Sequence, residues 1–593
     1  PVDEVRIAKE NQQRNEKIKA LQASLTMVRE ELATLAKAMA DPITEKRITV
    51  DLSAGQAAWE ATQATLLGEA VVLSSWSRIG PFDGASFDDA HAKAFLDETN
   101  VDLAKTYGDL KWVEAKEYVE AIKGDIEWLG FKWDKECYAS DYFQQLYEWA
   151  HELISKGTAY IDSQTPKEIA SQKGTPTEPG TNSPHRNRST KENKLLFEEM
   201  YSGKSAPGEH VLRAKIDMNS PNMLMRDPVI YRSMNANHHR TGDTWKIYPL
   251  YDWTHGESDY IEQVTHSLCT LEFEPHRELY NWFLDALEPL KGIRPKQREF
   301  SRLNLSYTIT SKRILAELVA SDVVQGWDDP RLPTISGLRK RGYTPNALKQ
   351  FINTVGVSKR ENIIDVSLLE FCIRADLNEN APRARAVMSP LKITIKNYPE
   401  KTKEELDFEI NPQKKELGKR KINFERELYI ERKDFQEEED ENFYRLTKGQ
   451  EVRLKNAYII KAEEVVKNNN IIEEVLCSYD PKSKSGSGTE ESSRKVKATI
   501  HWLGRSEAVQ AKINVYDRLF KVPEPGKENK ITNDLNENSL KTLDALIEPH
   551  LEEAEPGSAF QFQRLGYFIK ENDADLPVFN KTIGLRDSWK KET

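Results

Sequence analysis

The feature that most limits what this chain can fold into is a change of hydrophobic periodicity near Pro390. Before it, apolar residues recur every three or four positions over 113–131 and 141–156, as on the buried face of a helix. After it, apolar and polar residues alternate, as in Leu391–Ile395 and Val496–Trp502, which is the period of half-buried strands. The sequence therefore predicts an α/β part followed by one or two β-barrels.

Length and composition argue against two broad classes of protein, a single small binding module and a membrane-spanning protein. The 593 residues correspond to about four domains at roughly 150 residues each, which excludes a single small binding module. No apolar run approaches the ~18 residues that cross a bilayer, and the amino terminus is charged, so we expect a cytoplasmic protein without a membrane partner. The four cysteines form no CxxC pair, and no metal centre is predicted. A net charge of −11 still allows local basic surfaces that bind nucleic acid.

Two stretches of the α/β part are candidates for function. Thr165–Arg188 is rich in Pro, Gly, Ser and Thr, which predicts a long functional loop with a basic end at Arg186 and Arg188. In Trp245–Phe273, polar and aromatic residues crowd at a predicted strand end and on the helix that follows it. Four of them either converge on a small polar ligand in a cleft of an open sheet or are satisfied core residues. They are Tyr251, His255, Ser267 and Cys269.

Several long motifs carry a resemblance to a known family. Residues 245–273 read WKIYPLYDWTHGESDYIEQVTHSLCTLEF, residues 294–313 read RPKQREFSRLNLSYTITSKR, and residues 326–343 read GWDDPRLPTISGLRKRGY. With these stretches, and with further motifs in family order from about Trp112 to Trp589, the chain closely resembles the glutaminyl-tRNA synthetases, which are class I aminoacyl-tRNA synthetases. The resemblance implies an enzyme that activates L-glutamine with ATP and Mg²⁺ and transfers it to the 3′ end of tRNA(Gln).

The resemblance also implies a multidomain α/β and β architecture. A class I Rossmann catalytic domain would be interrupted by an acceptor-stem domain and followed by a helical subdomain and two anticodon-binding β-barrels. The boundaries we assign are 45–138 and 249–310 for the two halves of the Rossmann domain, 139–248 for the insertion, 311–388 for the signature loop with the helical subdomain, and 389–593 for the barrels.

The second class I signature, the KMSKS loop, is present as Ile309–Arg313. A flexible lysine beside a hydroxyl can neutralise the charge that develops between the α-phosphate and the departing pyrophosphate. Lys312 and Ser311 are therefore the predicted catalytic residues of this loop. By resemblance, the residues that hold the nucleotide are Thr270, Arg302, Leu303, Thr310, Ser311 and Lys312.

Two further sets of residues follow from the resemblance. Glutamine would be bound by a hydroxyl network that rejects glutamate, because a carboxylate offers only acceptors where the amide also offers donors. This set is Arg78, Tyr251, His255, Ser267, Cys269, Phe273 and Gln297. The planar side chains of arginine and glutamine can donate hydrogen bonds to the exposed edges of unstacked anticodon bases. Lysine can neutralise the charge of a phosphate group. The tRNA-binding set is Arg186, Arg188, Lys359, Arg383, Arg445, Arg453, Gln561 and Arg564.

The first class I signature departs from the family pattern. Its best placement is Arg78–Lys93, where Asp88-Asp89-Ala90-His91 replaces the HIGH tetrapeptide and leaves His91 as the catalytic histidine. Two aspartates would repel ATP phosphates there unless a metal ion bridged them. The family aspartate that holds the substrate amino group has only a gapped counterpart, Asp97.

Several interpretations therefore stay open. The chain could be a true synthetase with a diverged first motif, or a tRNA-binding relative that has lost adenylation. The stretch before about residue 110 could also be chimeric or wrongly assigned. A glutamate-specific relative is a further alternative.

The resemblance does not cover an amino-terminal helix or helical hairpin predicted within residues 1–44, where Asp41-Pro42 ends a three-four apolar repeat. The repeat could form a coiled coil for self-association, dock tRNA through nearby basic residues, or pack against its own chain. We expect a monomer unless this helix mediates association. The apolar residues are Ile18, Leu21, Leu25, Val28, Leu32, Leu35 and Met39, and the basic ones are Lys17, Lys19 and Arg29.

Overall fold

The computed structural model describes residues 119–234, 238–288, 290–438, 440–528, 530–571 and 576–586. The expectations for the amino-terminal helix and for the first signature fall outside these described residues, including those for Arg78, Asp88, Asp89, His91 and Asp97. Within the described ranges, no helix has both the length and the apolar character needed to cross a bilayer.

Most of the described helices precede Pro390, as the periodicity predicts. They span 119–128, Phe143–Lys156, Pro166–Gln172, Thr190–Tyr201, Tyr251–Ile261, His276–Ala286, Lys312–Ala320, Ile335–Arg341, Pro345–Val355, Val366–Asn380 and, after Pro390, Glu490–Ser493. Short 3-10 turns include Leu271–Phe273 and Arg432–Asp434.

The helix predicted at 141–156 illustrates how the sequence sets an element. Phe143–Lys156 buries one face, with Leu146, Ala150 and Leu153 completely covered. Gly157 ends the helix because it adopts a left-handed conformation, with φ +72°, that residues with a Cβ disfavour. The predicted segment is thus confirmed to within two residues.

The described strands before Arg383 form one larger sheet and two parallel pairs. The larger sheet is antiparallel, in the order Ala159–Asp162, Val211–Ala214, Val229–Ser233, Ile247–Pro249. The parallel pairs are His266–Thr270 with Lys296–Phe300, and Leu303–Leu305 with Asn362–Ile364.

The antiparallel sheet shares one apolar core with the helices around it. Phe143 and Phe197 come from the two helices that pack on the sheet, and Trp253 and Phe283 come from the helices that follow it in the chain. All four side chains are at most 2% exposed. The region expected to be an insertion is therefore packed directly against the helix that begins at Tyr251.

Two seven-stranded, barrel-like sheets are formed by the chain from Arg383 onward. The first barrel sheet has the spatial order Thr499–Ile500, Glu451–Leu454, Ile459–Asn468, Ile471–Tyr479, Pro390–Ile395, Glu427–Glu431, Leu503–Gly504. The second barrel sheet has the order Ala386–Val387, Leu540–Ile547, Val509–Tyr516, Val578–Ile583, Gly566–Lys570, Ala559–Phe562, Arg383–Ala384. The smaller pairs beside the first barrel sheet are Glu404–Glu409 with Lys419–Phe424, and Phe435–Gln436 with Leu446–Thr447. The predicted change from helices to strands is confirmed.

Two local expectations were wrong. The predicted loop Thr165–Arg188 contains the helix Pro166–Gln172, because Thr165 and Glu168 form a reciprocal capping box and Pro166 occupies the first helical position. The predicted strand Val496–Trp502 is reduced to Thr499–Ile500.

Candidate functional site

A parallel strand pair positions the candidate pocket. In His266–Thr270 the buried residues include Ser267 and Cys269, and in Lys296–Phe300 they are Gln297 and Glu299. Ser267 lies opposite Gln297 in the register, and Cys269 lies opposite Glu299. Because alternate strand residues share a face, these four side chains lie on one face of the pair.

The helix Tyr251–Ile261 brings two more predicted residues to this face. His255 Nε2 lies 2.8 Å from Ser267 Oγ. The Tyr251 ring lies 5.2 Å from the His255 ring and 5.5 Å from the Phe273 ring, measured between centroids. Gln297 Nε2 donates to the Phe273 carbonyl oxygen at 2.8 Å. Five predicted glutamine-binding residues are therefore assembled in one cluster.

The Gln297 amide is oriented by a neighbour that the sequence analysis missed. Its Nε2 also donates to Glu299 Oε1 at 2.9 Å, while Arg277 donates to both Glu299 oxygens. Burial alone would raise the pKa of Glu299, but the hydrogen bonds from Arg277 and Gln297 outweigh it and lower that pKa. Gln297 Oε1 is buried and has no hydrogen-bond partner. The amide thus keeps one acceptor available.

His255 is held as a neutral group. Burial lowers its pKa, although the carboxylates of Asp259 and Asp252 partly oppose this shift. Asp259 Oδ2 lies 3.4 Å from His255 Nε2 and accepts a hydrogen bond from Tyr280 at 2.9 Å. A neutral imidazole can both donate and accept, so it suits a network of hydroxyl groups.

Cys269 differs from the other members of the predicted pocket set. It is 2% exposed, and its thiol donates to the Arg298 carbonyl oxygen at 3.6 Å, within the strand pair. The contact packs the two strands together. Its role toward glutamine stays a prediction.

Two of the predicted nucleotide residues, Thr270 and Arg302, lie at the carboxyl end of the parallel strand pair His266–Thr270 and Lys296–Phe300. Thr270 is the last residue of its strand, and its buried Oγ1 has no hydrogen-bond partner. Thr270 pairs with Phe300 in the strand register. Arg302 lies two residues after Phe300, forms an ion pair with Glu272, and has a half-exposed side chain. Leu303 begins the short strand Leu303–Leu305. Ligands of open α/β sheets bind at this edge.

The second signature leads directly into a helix. Thr310 and Ser311 are exposed, and Lys312 is the first residue of Lys312–Ala320. The Ser311 side chain makes no capping hydrogen bond, and the first turn carries no acidic residue. Backbone N–H groups at the amino terminus of a helix favour phosphate oxygens.

The base of this loop is attached to the carboxy-terminal half of the chain. Tyr307 N donates to the Pro523 carbonyl oxygen at 2.8 Å, and the Arg518 guanidinium lies 4.7 Å from the centre of the Tyr307 ring. Leu315 also shares an apolar cluster with Phe520. These contacts join residues far apart in the chain, so no local sequence pattern predicts them.

Three predicted tRNA-binding residues precede the barrel sheets, and two of them are engaged in contacts while the third is exposed. Arg186 donates to Asp227 at 2.6 Å, and Arg188 donates to the Ile161 carbonyl oxygen and to Ser163. Both arginines are thus engaged within their own domain. Lys359 is exposed after the helix Pro345–Val355.

Three predicted residues are engaged with the fold around the barrel sheets. Arg383 is 6% exposed and donates to the Ala381 and Asn378 carbonyl oxygens. It lies opposite Gln561 in the strand register, and Gln561 donates to the Tyr567 hydroxyl at 2.9 Å. Arg453 donates to the carbonyl oxygens of 483, 492 and 494.

The remaining two arginines, Arg445 and Arg564, share one carboxylate, that of Asp434. Among the described residues, no group of three or more His, Cys, Asp or Glu side chains could hold a metal ion.

Comparison with protein families matches three models to this chain. The model "tRNA synthetases class I (E and Q), catalytic domain" covers residues 111–379. Two models described as "tRNA synthetases class I (E and Q), anti-codon binding domain" cover 381–480 and 499–571. The last two ranges coincide with most of the two barrel sheets.

Curated relatives match over most of their length. The chain is 51% identical over 483 residues to a glutamine–tRNA ligase of Vibrio cholerae serotype O1 (strain M66-2), which covers 81% of this chain and 86% of the relative. It is 51% identical over 480 residues to that of Vibrio parahaemolyticus serotype O3:K6, covering 80% and 86%. It is 50% identical over 480 residues to that of Enterobacter sp. (strain 638), with the same coverage.

The likeness to solved structures is weaker. The crystal structure of a glutamate tRNA ligase from Elizabethkingia meningosepticum matches with a TM-score of 0.31 and 18% identity. The match covers 44% of this chain and 59% of that one, and so spans less than two thirds of its length. A likeness of this size supports no statement about the site.

Proposed function

This chain belongs to the glutamine–tRNA ligases among the class I (E and Q) tRNA synthetases, and from this membership we propose that it activates L-glutamine with ATP and transfers the glutaminyl group to the 3′ end of tRNA(Gln). The observation that carries the proposal is the cluster in which His255 lies 2.8 Å from Ser267, the Tyr251 ring lies against the His255 ring, and Ser267 lies opposite Gln297 in the strand register. This cluster lies on the parallel strand pair that ends at Thr270 and Phe300.

The chemistry of this cluster favours glutamine over glutamate. Gln297 Oε1 is a buried acceptor without a partner, which an amide N–H of the substrate could satisfy. A substrate carboxylate has no such donor at neutral pH and would lie near the buried, ionised Glu299. The neutral His255 offers no positive charge that would compensate. The pocket is thus suited to a neutral polar side chain.

For the activation step, we assign the nucleotide to Thr270, Arg302, Leu303 and the Thr310–Lys312 turn. The glutamine carboxylate attacks the α-phosphate, and pyrophosphate leaves with additional negative charge. The Lys312 ammonium and the backbone N–H groups of its helix terminus stabilise that charge. Mg²⁺ belongs to this proposal as the partner of the ATP phosphates, because it retains water and phosphate ligands more readily than it enters an all-protein site.

The domain assignment is part of the proposal. We infer Rossmann halves at 45–138 and 249–310, an acceptor-stem domain at 139–248, a helical subdomain at 311–388 and two anticodon-binding barrels at 389–593. The helical extension at 1–44, the cytoplasmic location and the monomeric state are proposed with it. The tRNA-binding set proposed for this architecture is Arg186, Arg188, Lys359, Arg383, Arg445, Arg453, Gln561 and Arg564.

One sequence observation favours a second candidate function. Asp88-Asp89, at the place of the first signature, would repel phosphate, so a tRNA-binding protein without adenylation remains the rival to the enzyme. A protein with this second function would bind tRNA through the same predicted residues but would not turn over ATP in the presence of glutamine.

Amino acid specificity tests the proposal directly. We expect the protein to charge tRNA(Gln) with glutamine. Tyr251→Phe removes one hydroxyl group, and the loss of its hydrogen bond to the substrate should cost about 1–3 kcal/mol of transition-state stabilisation, which lowers kcat/KM for glutamine roughly 5- to 150-fold. The matched control is Tyr260→Phe on the same helix, because the Tyr260 hydroxyl donates to the Lys291 carbonyl oxygen instead. Charging with glutamate at comparable efficiency would contradict the proposal.

A further inference from the structure

A completely buried carboxylate lies where the two barrel sheets meet. Asp434 ends the short turn Arg432–Asp434, which follows the strand Glu427–Glu431 of the first barrel sheet, and it is 0% exposed. Arg564 Nη1 and Nη2 donate to its two oxygens at 2.5 and 2.9 Å. Arg445 Nε lies 3.1 Å from Oδ1 of the same carboxylate. Asp434 therefore binds two guanidinium groups at once.

The two arginines come from different sheets. Arg445 immediately precedes the strand Leu446–Thr447, beside the first barrel sheet, and its Nη1 donates to the Lys433 carbonyl oxygen. Arg564 lies in the turn between Ala559–Phe562 and Gly566–Lys570 of the second barrel sheet. Asp434 is thus the common point of two chain segments more than a hundred residues apart.

The backbone conformation of Arg564 indicates that the surrounding structure fixes the direction of its side chain. Its φ is +68°, a left-handed conformation that residues with a Cβ rarely adopt. Strained residues of this kind persist where the surrounding structure fixes them, often at binding sites. The bidentate contact with Asp434 supplies a fixing interaction.

A buried histidine supports the same guanidinium. His501 is 0% exposed, and its Nε2 donates to the Ala386 carbonyl oxygen at 3.0 Å. That hydrogen bond leaves Nδ1 as an acceptor, 3.3 Å from Arg564 Nη1. Arg564, from the second barrel sheet, is therefore held by two buried residues from the part of the chain that forms the first barrel sheet, Asp434 and His501.

The cluster leaves positive charge at the surface. One carboxylate faces two guanidinium groups, and the side chains of Arg445 and Arg564 remain 41% and 28% exposed. A guanidinium held in this way keeps further N–H donors in a fixed plane, which suits base edges and phosphate oxygens of a single-stranded segment.

We propose that Asp434 is a positioning residue for anticodon recognition, which holds one arginine from each barrel so that the two barrels present a single reading surface to the anticodon loop of tRNA. This inference rests on the proposed function, because it takes tRNA as the ligand. Asp434 itself contacts no base and acts through Arg445 and Arg564.

The test measures the ratio of the Kd of tRNA(Gln) to that of the same tRNA with a substituted anticodon. Asp434→Asn keeps the shape and removes the charge, and it should reduce discrimination between the two tRNAs by at least tenfold. In a background with Arg445→Ala and Arg564→Ala, the same change should alter discrimination by less than threefold. An equal loss in both backgrounds would overturn the positioning role.

A matched control separates positioning from general stability of the barrel interface. Glu548 is 3% exposed and receives a bidentate contact from Arg420 across the same two barrel sheets, at 2.7 and 2.9 Å. Glu548→Gln should leave the discrimination ratio within threefold of the unaltered protein. An equal loss with Glu548→Gln would overturn the proposal.

A second measurement applies if Asp434→Asn does not fold. Because Arg445 and Arg564 share one carboxylate, the discrimination losses of Arg445→Ala and Arg564→Ala should be non-additive by at least threefold. Additive losses would overturn the inference. If the unaltered protein does not distinguish the two tRNAs, the proposed function fails instead.

Discussion

Glu257 is a buried acid whose removal should stabilise the pocket helix. It lies in Tyr251–Ile261, is 0% exposed, and neither carboxylate oxygen has a hydrogen-bond partner. Burial raises its pKa well above the ordinary value of 4.5. Glu257 is therefore protonated in the folded protein at pH values where the unfolded chain has already lost the proton.

The sign and size of the pH effect follow from this one proton. Between pH 4.5 and the raised pKa, the folded state binds more protons than the unfolded state, so stability falls as pH rises, by up to about 1.4 kcal/mol per pH unit. Glu257→Gln keeps the size of the side chain and cannot ionise. Its stability advantage over the unaltered protein should grow as pH rises from 5.5 to 6.5, by at most about 1.4 kcal/mol.

The assay is hydrogen–deuterium exchange of peptides from Tyr251–Ile261, corrected for the intrinsic dependence of exchange on pH. We expect protection in Glu257→Gln to exceed that of the unaltered protein, and to do so more at pH 6.5 than at pH 5.5. A difference that is independent of pH would refute the raised pKa as the cause. Lower protection in the variant at both pH values would refute the claim that the carboxyl is unpartnered.

Two other predictions concern stability. Asp162→Asn should lower the free energy of unfolding by about 3–5 kcal/mol, because Arg213 is left buried without its ionic partner. Burial raises the pKa of Asp162, but hydrogen bonds from His185 and Arg213 outweigh it and lower that pKa on balance. The stability that comes from this lowered pKa should be lost as pH falls below about 3.8, which thermal unfolding at several pH values would detect. Gly342→Ala should destabilise the protein by more than about 1 kcal/mol, because φ is +92° and a Cβ would overlap Thr582; an unchanged unfolding temperature would contradict this.

Much of the fold follows from local patterns in the sequence. The patterns predict the strand Pro390–Ile395 and the helix Phe143–Lys156 to within a few residues, because the strand alternates and the helix repeats with a clear apolar face. The helix Pro166–Gln172 lies in a stretch whose Pro, Ser and Thr content predicts a loop, but these residues also occur at the first positions of helices.

The shortened strand near Trp502 has a different cause. Trp502 is fully buried by tertiary contacts and donates from Nε1 to the Lys455 carbonyl oxygen. Arg385 also stacks on its ring, 4.4 Å from the centroid. Residues buried in this way alternate with polar ones in the sequence even though the backbone does not form a continuous row of strand hydrogen bonds. A single sequence does not distinguish such a segment from a true strand.

The site was only partly predictable, for a similar reason. Tyr251, His255 and Ser267 were identified from one short stretch of sequence, and the structure brings them together. Glu299, two positions after Gln297 in a strand, had a signal in the alternation that places both on one face. Asp434 had none, because its partners lie at distant positions in the chain and nothing local separates it from other acidic residues.

The most direct test of the central claim is glutamine-dependent ATP–pyrophosphate exchange in the presence of tRNA(Gln), comparing the unaltered protein with Lys312→Ala. We predict exchange that requires glutamine and falls by at least about 10²-fold in the variant, as expected when a charge-stabilising group is removed. Equal, background exchange in both proteins despite tight binding of tRNA(Gln) would contradict the claim and favour the tRNA-binding protein without adenylation.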